Sequence, residues 1–145
     1  MVFARSSSLL PLQYAIITAI TGYADLHTHV EDRVYDYVPE NPTFPYLVVR
    51  TPTEVPFDTL GCSAVAGPKA GQRVTFTIDI WSQYRGSKET KEIAQHLNNL
   101  LDYQALTVSG YSHIVTYNTM TTDMRDPDGI HWHGIMYFTF YVMQT

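Results

Sequence analysis

The residues in this sequence best suited to chemistry are two closely spaced histidine pairs. Asp25-Leu26-His27-Thr28-His29 and His131-Trp132-His133 each carry two imidazoles separated by one residue. On a strand that spacing turns both rings to the same face, where they can share a divalent metal ion. A third ligand for the second pair could come from His113 or Asp126, because a complete site needs three or four converging groups. Taken together, the two pairs would make the site of a small metal-dependent hydrolase. The competing reading makes residues 25–29 a polar connection between helix and strand. It puts His131 and His133 near the start of a hairpin strand, on its solvent or subunit-facing side. Motifs of two or three residues match by accident often enough that this second reading is adopted.

Other catalytic constellations are missing from the sequence. No Gly-x-Ser-x-Gly elbow is present, and the lone Cys62 stands in a Gly- and Pro-containing stretch without an obvious basic partner. The glycines between Gly61 and Gly71 are not followed by Gly-Lys-Ser/Thr or by a helical pattern, so they do not make a phosphate loop. The sequence therefore reads as a non-enzyme, with no catalytic residues, no metal and no cofactor.

The elements that must position any site are organised around one strand. Val74, Phe76, Ile78 and Ile80 alternate with Thr75, Thr77, Asp79 and Trp81, the period-2 pattern of a strand with one face on a core. After Gln83-Tyr84-Arg85-Gly86, Ser87 can cap a helix whose Ile93, Ala94, Leu97, Leu100 and Leu101 form an apolar stripe. An earlier helix starts at Ser7 or Ser8 and buries Leu9, Leu12, Ile16, Ala19 and Ile20 before Gly22. Residues 30–38 read as a polar edge strand, residues 46–50 as a short Val-rich strand, and residues 51–73 as a long loop or extended hairpin arm. A strand broken near Gly110, with a bulge there, precedes the turn Asp126-Pro127-Asp128-Gly129. A long last strand pairs back across that turn. Asp79 and Trp81 occupy the second face of the central strand, and a large aromatic there calls for a cover, either a helix of the same chain or another subunit.

The 145 residues fit one domain, 1–145, with 45% hydrophobic and 16% charged residues. The expected fold class is α+β. A single mainly antiparallel, or mixed, sheet of about four to six strands is packed by two helices, with the long loop or hairpin arm projecting. A formal charge of -5 with nine scattered Lys and Arg argues against a groove that grips nucleic acid. No apolar run approaches the roughly 20 residues of a membrane helix, and the single cysteine suits a reducing cytosol.

Several local patterns, in order, resemble the tail-completion or tail terminator proteins of long-tailed bacteriophages and gene transfer agents. They are the leucine-rich first helix, Arg33-Val34-Tyr35-Asp36, Pro45-Tyr46-Leu47-Val48, Ile78-Asp79-Ile80-Trp81-Ser82, the helix with Glu92-Ile93-Ala94, and the Asp126-x-Asp128-Gly129 turn ahead of His131 and Gly134. The first His-x-His motif resembles the amidohydrolase superfamily over five residues only, and that family's barrel needs roughly 250 residues.

The tail terminator resemblance implies a structural virion protein without enzymatic activity. It would assemble in the host cytoplasm into a ring, a homo-hexamer, at the head-proximal end of the tail. There it would stop polymerisation of the tail tube protein and meet the head-tail connector or neck protein. DNA would pass through without specific binding, and no membrane would be involved. Another neck or baseplate ring protein is the alternative within the same class. The residues expected at a subunit or tail-tube interface are Phe57, Asp58, Lys69 and Arg73 of the arm, together with Asp79, Trp81 and Arg85.

Overall fold

The computed structural model describes residues 6–58 and 70–145. In chain order these form α1 (Leu9–Thr21), α2 (Ala24–Val30), β1 (Val34–Tyr35), β2 (Tyr46–Asp58), β3 (Ala70–Ser82), α3 (Lys88–Leu101), β4 (Tyr111–Arg125) and β5 (Trp132–Gln144). The strands make one sheet in the order β1-β2-β3-β5-β4. β1 runs parallel to β2 and every other pair is antiparallel, so the fold is α+β on a mixed, mainly antiparallel sheet.

The central strand is β3, as its alternation requires. Val74, Phe76, Ile78 and Ile80 are fully buried, and β5 sets Met136, Phe138 and Phe140 beside them on the same face. Leu12, Ile16 and Ile20 of α1 and Ile93, Leu97 and Leu101 of α3 close that face into one core. Burial of a large aliphatic side chain stabilises by about 1.5–3 kcal/mol, so this cluster is the main source of stability. α1 keeps the expected limits, but the cap at its start differs. Ser8 makes no side-chain cap bond. Instead Glu54 of β2 accepts from the Ser8 backbone N–H at 2.7 Å and from its hydroxyl at 2.6 Å, bringing a carboxylate to the helix N-terminus.

Four local expectations change. Residues 25–29 lie in a third, short helix, α2, and not at a strand end. The strand expected over 30–38 shrinks to Val34–Tyr35 at the sheet edge. The short strand expected at 46–50 runs on to Asp58 and pairs with β3 as far as Ala70, so of the two readings of residues 51–73 the described residues show the extended hairpin arm. The bulge expected near Gly110 is displaced into β4, where the register shifts between His113 and Val115 and between Asn118 and Met120. Gly110 turns the chain with a φ of 80°, a conformation that favours glycine.

Candidate functional site

Both long helices pack on the Phe76 face, so the other face of the sheet carries no helix among the described residues. The idea that a helix of the same chain covers Asp79 and Trp81 is therefore overturned. The uncovered face presents Tyr46, Val48 and Arg50 from β2 and Arg73, Thr75, Thr77, Asp79 and Trp81 from β3. β5 adds His133, Tyr137, Thr139 and Tyr141, and β4 adds Tyr117 and Met120.

At one end of this face lies a charged cluster. The side chain of Asp79 is only 5% exposed, between Val48 and Ile135 of the neighbouring strands. Arg50 donates to both of its carboxylate oxygens, with Nη2 to Oδ1 at 3.0 Å, and His133 Nε2 lies 2.9 Å from Oδ1. Burial pushes the Asp79 pKa up, but the hydrogen bonds from His133 and Arg50 and their charge outweigh it, and the carboxyl settles below its ordinary value. The same bond to Asp79 raises the Arg50 pKa. Trp81 stacks on the far side of His133, ring centroids 3.9 Å apart and nearly parallel. The result is a fixed row from Arg50 through Asp79 and His133 to Trp81. The Asp79 carboxylate and the Arg50 guanidinium are paired with each other, as in a structural ion pair.

The other end of the face is aromatic. Tyr103, Tyr117 and Tyr141 stack in series at centroid spacings of 6.3 and 6.1 Å. Phe57 meets Tyr141 edge-on at 5.5 Å, although β3 lies between their strands. Gly71 allows this contact: a Cβ there would come within 2.0 Å of the Phe57 carbonyl oxygen and 2.8 Å of its ring. A recess of about 490 Å³ lined by Arg73, Thr75, Tyr117, Tyr137 and Thr139 lies in the same region.

The histidine pairs do not converge. On a helix, residues two apart point about 200° from each other, so His27 and His29 cannot share an ion. His27 is exposed and His29 packs against His96 at 5.4 Å. His131 precedes β5 and faces Asp128, whereas His133 faces Asp79. His113 pairs with Val142, nine residues along β5 from His133, roughly 30 Å away. Asp126, Asp128 and His131 do approach one another, but the Asp128 carboxylate is occupied within the turn. Oδ1 accepts from the backbone N–H groups of Ile130 and His131, and Oδ2 contacts the His131 ring. Those backbone bonds, followed by the His131 ring, hold the Asp128 pKa far below the usual carboxylate range. This arrangement is a turn stabilised by its own aspartate.

Of the residues expected at an interface, Asp79 and Trp81 fall in the charged row, while Arg73 and the 41%-exposed Phe57 fall at the aromatic end. Asp58 ends β2, Arg85 is exposed in the β3–α3 turn, and Lys69 lies outside the described residues. Sequence reasoning missed Arg50 as the partner of Asp79 and missed the tyrosine series. The signal for Arg50 was the alternation of residues 46–50, which places it on the same face as Tyr46 and Val48. Of the three tyrosines only Tyr141 carried a signal, its alternation with Phe138, Phe140 and Val142 along β5.

The family model described as "Tail completion protein gp17" matches residues 14–143. A chain in the solved virion of a native gene transfer agent (GTA) particle superposes with a TM-score of 0.82 at 18% identity, covering 96% of this chain and 99% of that one. Another solved chain gives a TM-score of 0.55 at 17% identity over 97% and 98% of the two lengths. At such identities the likeness speaks for a shared fold. Among curated proteins none matches the sequence significantly.

Proposed function

The chain belongs to the tail completion protein gp17 family, and from that premise we propose that it is a tail terminator acting without catalysis. In this reading residues 1–145 form one unit that assembles, as a homo-hexamer, into a ring on the head-proximal end of the tail. The ring stops addition of tail tube protein and offers its opposite side to the head-tail connector. Its place is then the virion, and the GTA virion chain of the same fold supports that placement.

The observation that carries the proposal is the family match over residues 14–143. The uncovered sheet face adds support. A face with a desolvated, fully paired carboxylate and stacked aromatics, and with no helix upon it, is suited to a neighbour in a ring. Head-to-tail contacts between identical subunits close into rings when the rotation allows. Asp79, Trp81 and Arg85 are assigned to the subunit contact. Phe57, Asp58, Lys69 and Arg73 are assigned to the arm's contact with a neighbour or the tube. The net charge of -5 suits a conduit for DNA, since like charge avoids trapping phosphates.

Light scattering on the purified protein, alone and with tail tubes, tests this reading. The proposal expects a species of about six times 16.5 kDa, either free or on tube ends. A protein that stays monomeric and ignores tube ends in both conditions would refute it.

A further inference from the structure

The recess of about 490 Å³ on the uncovered face has a lining of one sign. Arg73 is its charged residue, Thr75, Tyr117, Thr119, Tyr137 and Thr139 supply hydroxyls, and no carboxylate stands among them. Of the two arginines on this face, Arg50 is held by Asp79, whereas no carboxylate pairs with Arg73 among the described residues. Its guanidinium lies beside the Tyr141 hydroxyl, a neutral partner. The hydrogen bond from Tyr117 lowers the Tyr141 pKa most, burial opposes it, and the bond and charge of Arg73 lower it further. An unpaired guanidinium among hydroxyls is a receptor for a carboxylate, which its planar fork binds through two N–H groups.

The same chain carries the complement at the opposite edge of the sheet. Residues 24–40 hold five carboxylates, Asp25, Glu31, Asp32, Asp36 and Glu40, against one arginine, Arg33. They lie in α2 and around the edge strand β1, whereas the recess spans β3, β5 and β4, the last being the other edge. Glu31 pairs with Arg33 and Asp32 lies 3.9 Å from His27, but Asp36 and Glu40 are exposed and have no cation beside them among the described residues. Between them is Tyr37, at 85% the most exposed large hydrophobic side chain among the described residues. Tyrosine is enriched where proteins meet.

Within one molecule the two patches are too far apart to meet. Val34 registers through Leu47 and Ile80 with Gly134, and Thr139 of the recess lies five residues further along β5. Three strand spacings and that length of strand amount to roughly 20 Å. In a chain of net charge -5, copies repel one another unless acidic groups meet cations, and Arg73 is the unpaired cation that this face offers among the described residues.

We propose that the recess receives residues 36–40 of a neighbouring copy of this chain, with the carboxylates of Asp36 and Glu40 facing Arg73 and Tyr37 against Tyr117 and Tyr137. The two patches differ, so the contact is head-to-tail. This pairing rests on the ring reading above and names the neighbour, not the tail tube, as the partner of Arg73.

Charge exchange between two variants tests it. Arg73→Glu protein and Asp36→Arg/Glu40→Arg protein each place like charges across every contact when alone. All three positions are exposed, so the substitutions leave the core alone. Each variant should associate about 30-fold more weakly than the wild-type chain, by analytical ultracentrifugation or on tail tube ends. Mixed in equal amounts the two should recover association, because alternating copies bring opposite charges together at every contact. Variants that associate as the wild type does, or weakened variants that the mixture fails to restore, would overturn the pairing and leave the ring reading in place. A wild-type chain that forms no ring, alone or on tubes, would refute the ring reading and the pairing with it. An Arg73→Glu protein whose one defect is weaker binding to double-stranded DNA would overturn the pairing in favour of DNA as the occupant.

Discussion

Replacing Asp79 by Asn removes one negative charge from beneath Arg50 and His133 while keeping the side chain's volume. Breaking a fully buried ion pair costs about 3–5 kcal/mol, and breaking an exposed one about 0–1 kcal/mol. Asp79 and His133 are 5% and 16% exposed, but Arg50 is 41% exposed and can turn to water. The loss should therefore fall between the limits, near about 2 kcal/mol, or a Tm decrease on the order of 6 °C for a chain of this size. The pH dependence follows from the carboxyl's depressed pKa. Its contribution is fully present above the unfolded-state value of about 3.9 and is lost as pH falls through the lower folded value. Urea unfolding of both proteins should therefore show a constant gap from about pH 7 to about pH 5, narrowing as pH drops below about 4. A gap under about 0.5 kcal/mol, or one that persists undiminished to about pH 3, would refute the claim that a paired charge holds this row together.

Gly71→Ala forces a Cβ onto the Phe57 backbone; it should cost on the order of 2 kcal/mol and raise amide exchange at both roots of the arm, and an unperturbed Tm would contradict the packing described. Trp81→Ala removes a stacked ring from the uncovered face and should weaken subunit association by about 30-fold, the effect of an interface hot spot of about 2 kcal/mol. Analytical ultracentrifugation checks this, and unchanged association would remove Trp81 from the interface. Deleting residues 57–70 should leave the helix-packed core folded by circular dichroism but abolish ring closure or capping of tubes. Normal rings and normal tails from that variant would take the arm out of the mechanism.

The core was legible because β3, α1 and α3 obey simple periods. Val74, Phe76, Ile78 and Ile80 announce a half-buried strand, and Ile93, Leu97 and Leu101 an amphipathic helix, whatever surrounds them. The failures have specific causes. Residues 25–29 are polar and carry no long apolar stripe, so only the burial of Leu26 and Val30 against neighbouring elements makes them helical. Pro52 and Pro56 argued against a strand, yet β2 continues through both: Pro52 falls in the register irregularity between Arg50 and Thr53, and Pro56 pairs in register with Gln72. The Asp79 row was half legible. Alternation placed Asp79 and Trp81 on the second face, but their partners Arg50 and His133 come from β2 and β5, and cross-strand register is invisible in a single sequence. His133 was noticed for metal chemistry because it lies two residues from His131, and sequence could not show that the turn separates their rings.

The central claim, that this protein ends tail growth and prepares the tail for the head, is tested most directly by the lengths of tails made without it. Electron microscopy of particles from a producing strain lacking the protein should show tubes of variable and excessive length with no heads attached. Adding the purified protein during tube assembly should restore a uniform length and place a ring on one end. Tails of normal length joined to heads in its absence would contradict the account.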